Sequence, residues 1–191
     1  MRLSILLLWA APAVCGDLSS RLELTMNRIL HGDAPRYDEN FVIADVIPLY
    51  GRRFTNFSGD LSGRYIEALS IAAAAGMKSA ALDRTVAGVM SFQKADGHFG
   101  ALLNPREVDD DTMALLWGQG RLLVGLVEYY KLTRNPATLD AARRLGGFLA
   151  EQEPRFEAPP VRAKYNGEKF AVGYICWTSN LEGVVNLYEE T

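Results

Sequence analysis

GQGRLLVGLVEYYKLTRNP, residues 118–136, sets an arginine between glycines, follows it with a long apolar run and closes on Asn-Pro. Leu122, Leu123, Leu126, Val127 and Tyr130 recur at the three- and four-residue spacing that lays side chains along one face of a helix. The closing pair predicts a second helix. Asn135 can accept a backbone N–H as an N-cap, and Pro136 suits the first helical position, where a missing N–H costs nothing. Beyond it, Leu139, Ala142, Leu145, Phe148 and Leu149 keep the same helical spacing. The stretch reads as the first helix and the turn of a helical hairpin.

The hairpin is used again. Shifted by 57 positions, Gly63-Arg64 falls on Gly120-Arg121, Leu69 on Leu126, Leu82-Asp83 on Leu139-Asp140, and Phe99 on Phe156. Leu82, Val86, Val89 and Met90 give the earlier copy its own second helix, and Gly76 ends the helix before it. A third copy begins where GVVNLYEET, residues 183–191, aligns without a gap on GLVEYYKLT, residues 125–133. Ser179 and Glu182 have capping-box spacing, which predicts a helix start there with Glu182 committed to the cap, after a short extended segment over 170–177. The predicted fold class is all-α: helical hairpins of an incomplete (α/α)6 toroid. The third copy has one helix by Thr191, and a helix with one apolar face and no partner leaves that face wet. The expectation is a toroid truncated in its third hairpin; the alternative is a short protein whose last helix closes the stack.

A chain of 191 residues with 49% hydrophobic and 23% charged residues is long enough for one core. Its 20 Lys and Arg against 23 Asp and Glu leave a net charge of -3, so there is no basic field to hold nucleic acid or an anionic membrane. Residues 1–16, MRLSILLLWAAPAVCG, carry Arg2, an apolar run, then small residues at Ala13 and Gly16, the pattern of a cleaved export signal. The run falls short of the roughly 20 residues that span a bilayer. The chain is therefore expected to be secreted or periplasmic, without membrane association after cleavage. Loss of Cys15 with the signal would leave Cys176 outside any disulfide framework. Residues 17–52 read as a lead-in segment, with a helix over 18–30 and an irregular stretch over 35–50, and residues 53–191 as the toroid. Asn56-Phe57-Ser58 is a glycosylation sequon.

Candidate chemistry sits in two motifs. In QKADGHFG, residues 93–100, Asp96-Gly97 supplies a turn and Phe99 folds back to the core; Asp96 and His98 either belong to that turn alone or meet a sugar at a cavity mouth. In WGQGR, residues 117–121, glycines admit close approach, Trp117 offers a flat face to a sugar ring, and the Arg121 fork suits hydroxyl or carboxylate oxygens. The competing reading is a helix-initiating loop, with Trp117 plugging the core and Arg121 paired to Asp60 or to one of Asp109, Asp110 and Asp111. Arg64 recurs at the Arg121 position of the repeat, which favours packing. The acidic run at 109–111 suits a helix N-terminus better than an acid/base cluster. The candidate substrate-binding residues are thus Asp60, Asp96, His98, Trp117 and Arg121. His31 and His98 are far apart, no Cys or His cluster has zinc spacing, and phosphate-cradling loops and a GxSxG elbow are absent. No catalytic or metal-binding residue is assigned.

FSGDLSGRYIEALSIAA (57–73), LDRTVAGVMSFQKADGHFG (82–100), LWGQGRLLVGLVEYYKLTRNPATLDAARRLGGFL (116–149) and NLEGVVNLYEET (180–191), in that order, resemble the amino-terminal half of the catalytic barrel of β-L-arabinofuranosidase-like glycoside hydrolases, family 127. The resemblance runs from about residue 53 to residue 191. It implies a six-hairpin toroid followed by β-sandwich domains, hydrolysis of O-glycosyl bonds and a carbohydrate substrate. In characterised members a zinc-bound cysteine is the nucleophile of a retaining mechanism, a glutamate is the acid/base, and the other zinc ligands are cysteines and a glutamate, all in later hairpins. The resemblance thus implies zinc for the full-length family and no cofactor in this chain; Cys176, ahead of the third hairpin, does not match the nucleophile. Where characterised members place histidines near the sugar, this chain reads LLWGQGR, a departure that bears on arabinofuranose specificity. The function expected is that of a fragment of a secreted carbohydrate-active enzyme, inactive alone. The alternatives are another toroid enzyme, such as an unsaturated uronyl hydrolase, and a non-catalytic helical-repeat binding module.

Overall fold

A computed structural model describes residues 11–33, 36–48, 57–167 and 172–191, the side chains of 11–17 excepted. The first ten residues of the expected export signal, Asn56 of the sequon and residues 170–171 of the expected extended segment lie outside the described residues. In chain order the helices are α1 (Ala11–His31), α2 (Glu39–Ile43), α3 (Asp60–Ala74), α4 (Ala80–Met90), α5 (Asp110–Thr133), α6 (Pro136–Phe156), α7 (Pro159–Tyr165), α8 (Ile175–Thr178) and α9 (Asn180–Glu189). A 3-10 turn at Ala44–Val46 follows α2. No strand occurs among the described residues, and none of their helices is long and apolar enough to cross a membrane.

The hairpins form where the sequence places them. Asn135 accepts from the Ala137 N–H at 3.0 Å and starts α6 with Pro136 in its first turn. At the end of α3, Gly76 has φ 96°, a left-handed conformation that glycine takes without Cβ strain; Gly76 N donates to Ala73 O at 3.0 Å and Met77 N to Ala72 O at 2.9 Å. Asp109 caps α5 through the Thr112 N–H at 2.8 Å, so the acidic run does begin a helix.

Helix α5 is the axis of the fold. It packs against α3 on one side, α9 on the other and α6 behind, while α4 pairs with α3. Residues 118, 121 and 125 of α5 meet residues 58–63 in ascending order, so α3 and α5 run parallel, and Gly120 and Leu123 against Asn180 and Gly183 set α9 parallel to both. The hairpin turns make α4 and α6 antiparallel partners in a second layer. Three inner helices and two outer ones thus form an arc of an all-α, toroid-like hairpin fold. Leu116, Leu122, Leu126, Leu145, Phe148 and Phe156 are buried between the layers, each stabilising by about 1.5–3 kcal/mol relative to an exposed side chain.

Four local expectations are corrected. WGQGR is no helix-initiating loop: residues 117–121 lie inside the 24-residue α5, because their glycines are places of close packing rather than breaks. A Cβ at Gly118, Gly120 or Gly125 would fall less than 3 Å from an atom of Ser58, Asn180 or Gly63 respectively. Ser179 does not cap α9; it has helical φ -64° and ψ -16°, and its hydroxyl donates to Cys176 O at 3.1 Å. Residues 175–178 are a helical turn rather than an extended segment and lead almost directly into α9. The stretch 35–50, expected to be irregular, contains α2, capped by Asp38 through the Phe41 N–H at 2.8 Å.

Candidate functional site on the inner helices

The two ends of the arc differ. Hairpin turns at 75–79 and 134–135 are short, whereas 91–109 and 157–179, which lead into α5 and α9, are long. Long connections carried on a rigid helical frame are where binding groups concentrate, so the end holding the N-termini of the inner helices is the candidate site.

Two buried polar residues fix this end. Asp45, 2% exposed, accepts at one carboxylate oxygen from Gly59 N (2.9 Å), Ser62 N (2.9 Å) and Ser62 Oγ (3.0 Å), and so anchors the start of α3. Gln119, fully buried on α5, accepts from Phe99 N at 2.8 Å and donates to Ser58 O at 2.8 Å and Phe99 O at 3.1 Å. It stitches the 96–100 turn and the 57–59 loop to one helix. Sequence reading missed both, since their partners lie 14 to 61 residues away.

Of the candidate residues, Asp60, Trp117 and Arg121 come together. Asp60 opens α3, and its Oδ1 accepts from Trp117 Nε1 and from Arg64 Nε, each at 2.9 Å. One turn along α5, Arg121 donates to Glu67 of α3 at 2.9 Å and to Glu182 of α9 at 2.6 Å, spanning all three inner helices. This corrects two pairings: Arg64 rather than Arg121 binds Asp60, and Glu182 serves Arg121 rather than a cap. Asp60, 30% exposed, and Arg64, 51% exposed, keep part of their polar surface in solvent.

Asp96 and His98 are placed apart from that cluster, on the side of the turn that faces α6. His98 is 2% exposed; Nδ1 lies 2.6 Å from Asp96 Oδ1, Nε2 lies 2.9 Å from Ala101 O, and the ring stacks on Phe148 at 4.8 Å. Asp96 remains half exposed at its rim.

A further polar group had no signal in the sequence. Glu157 accepts from the Tyr174 hydroxyl and from Trp177 Nε1, the latter at 2.9 Å. These bonds, Tyr174 first, hold its carboxyl below the usual carboxylate range. Trp177 stacks on Phe156 at 5.1 Å. Nearby Cys176 is fully buried, and burial pushes its thiol up to about 11, which makes it a core group rather than a nucleophile.

The site thus brings an indole, carboxylates and guanidinium groups together at one end of the inner helices. Among the described residues no group of three His, Cys, Asp or Glu side chains converges to hold a metal ion. The zinc that the resemblance implies for full-length family members finds no ligand set among the described residues.

The hairpins form a toroid-like arc whose inner helices carry Asp60, Trp117 and Arg121 at the long-loop end. The family model described as Beta-L-arabinofuranosidase, GH127 catalytic domain, matches residues 21–191, and the chain belongs to that family. No curated protein and no solved structure matches the chain.

Proposed function

We propose that the chain is the amino-terminal part of an exported enzyme that hydrolyses O-glycosyl bonds, and that these residues supply a sugar-binding wall rather than the bond-breaking groups. Export rests on residues 1–16, and the place within a longer enzyme on the bare apolar face of α9. The observation that carries the binding role is the cluster of Trp117, Asp60 and Arg64, held on two rigid helices at the long-loop end. The indole packs against a sugar's C–H face while Asp60, Arg64 and Arg121 exchange hydrogen bonds with hydroxyls. Asp96 and His98 face α6 and stand outside this wall, where their contact braces the 96–100 turn.

Titration of the purified chain with arabino-oligosaccharides, followed by NMR, tests the wall. Binding weakens at least fivefold in Trp117→Ala, and equal binding by that variant would remove the assignment. The same material turns over no aryl β-L-arabinofuranoside with added zinc; robust zinc-dependent turnover would show that the bond-breaking groups are here after all.

A further inference from the structure

The wall's two central side chains, Asp60 and Trp117, each adjoin a buried fastening. On the α3 side, Asp45 accepts from Gly59 N and Ser62 N, which flank Asp60 in the chain, both at 2.9 Å. On the α5 side, Gln119 donates to Ser58 O at 2.8 Å, and Gly118 lies so close that a Cβ there would meet Ser58 O at 2.2 Å. Gly59 turns the chain between the two with φ 104°, and its own Cβ would meet Gly118 O at 2.6 Å. Residues 58–60 are thus gripped from both sides.

Asp45 comes from outside the hairpin repeat. It belongs to the 3-10 turn behind α2, and the two together form a strap that lies over α4 and α3. Val42 and Val46 of the strap are fully buried, and Ile43 fills the space that a side chain at Gly88 of α4 would need. Glu39 takes Arg84 Nε of α4 at both carboxylate oxygens, each at 2.9 Å. With 2% exposure, Asp45 itself is out of a ligand's reach. A partly exposed carboxylate left to itself samples several rotamers, and fixing it on binding costs affinity. We propose that Asp45 and Gln119 form a clamp that sets the Asp60–Trp117 hydrogen bond before a sugar arrives, which makes Asp45 a positioning residue of the wall. This rests on the reading of Trp117 and Asp60 as a sugar-binding surface.

The NMR signal of the Trp117 Nε1–H reads the clamp without any ligand, and Asp60→Ala, which lacks the acceptor, marks its unbonded position. Asp45→Asn keeps the side chain's shape but weakens an acceptor that serves three donors. In that variant the signal moves toward the Asp60→Ala position, and affinity for arabino-oligosaccharides falls about fivefold. Ser62→Ala loses the hydroxyl donor alone; it moves the signal the same way by less, and carries the test if Asp45→Asn does not fold. Tyr129→Phe gives up a hydrogen bond near the far end of α5. It leaves signal and affinity unchanged, which tells a loss of position from a general loss of stability. A signal unmoved in the folded clamp variants, an equal shift in Tyr129→Phe, or a shift with affinity intact would each overturn the proposal. Failure of the native chain to bind sugar sinks the wall reading, and the indole signal then decides the clamp alone.

Discussion

Asp45 shows how much of this fold hangs on single buried polar atoms. Its carboxylate satisfies two backbone N–H groups and a hydroxyl at the start of α3. Removing it leaves those donors buried and unpaired, and Asp45→Ala is expected to cost about 3 kcal/mol in urea unfolding, with Asp45→Asn recovering part of the loss. Tyr129 makes a pH-dependent contribution: burial first, then its hydrogen bond to Asp83 at 2.8 Å, pushes the phenol up to about 12. An unfolded tyrosine ionises near 10. The protonated phenol's contribution is therefore complete below about pH 10 and is lost as pH rises through about 12. The urea midpoint should fall further between about pH 9.5 and 11.5 in the native chain than in Tyr129→Phe. Neither residue was legible in the sequence. A capping motif is read over three or four positions, whereas Asp45 reaches Ser62 and Tyr129 reaches Asp83 only after the chain has folded back. The indole of Trp117 and the carboxylate of Asp60 were picked out by residue type, but which arginine served Asp60 was a matter of geometry.

At the scale of elements, local signals carried well. The Asn135-Pro136 start, the Gly76 stop and the Asp109 cap stand where residue chemistry puts them. Two signals failed for physical reasons. Glycines in 117–121 looked like breaks because glycine lowers helix propensity, yet α5 runs through them, repaid by backbone contact with its neighbours. Ser179 had the right spacing for a cap but follows α8 so closely that its backbone is already helical. The two uses of glycine can be separated by experiment. A side chain at Gly63 would press on the Arg121 backbone, so Gly63→Val should destabilise by about 3 kcal/mol. Gly147, in α6, has nothing within 4 Å of a Cβ, so Gly147→Ala should stabilise by close to 1 kcal/mol. Paired denaturant curves read both.

Across the molecule, cohesion is passed between neighbours: α3 to α5, α5 to α9, with α4 and α6 behind. Stability in such stacks is a sum of adjacent terms, and an end helix has half the neighbours of a middle one. Amide hydrogen exchange should therefore be slowest along α5 and run well ahead of it in α9; equal protection would contradict this graded order. Tandem hairpins were legible because the repeat preserves apolar spacing over 57 positions. The site was only partly so, since no periodicity says which end of the bundle carries the long connections or that Asp96 and His98 face α6 rather than Trp117.

The glycine seams have one more effect. Gly63 against Arg121 and Gly125, then Gly120 against Asn180 and Gly183, bring the inner helices nearly backbone to backbone, while larger side chains fill the layer outside. Unequal spacing between two concentric layers is what makes a row of rods bend, so these few missing methyl groups set the curvature of the arc. In any ring completed on this plan they also fix the width of its bore, and through that width the girth of the molecule it admits.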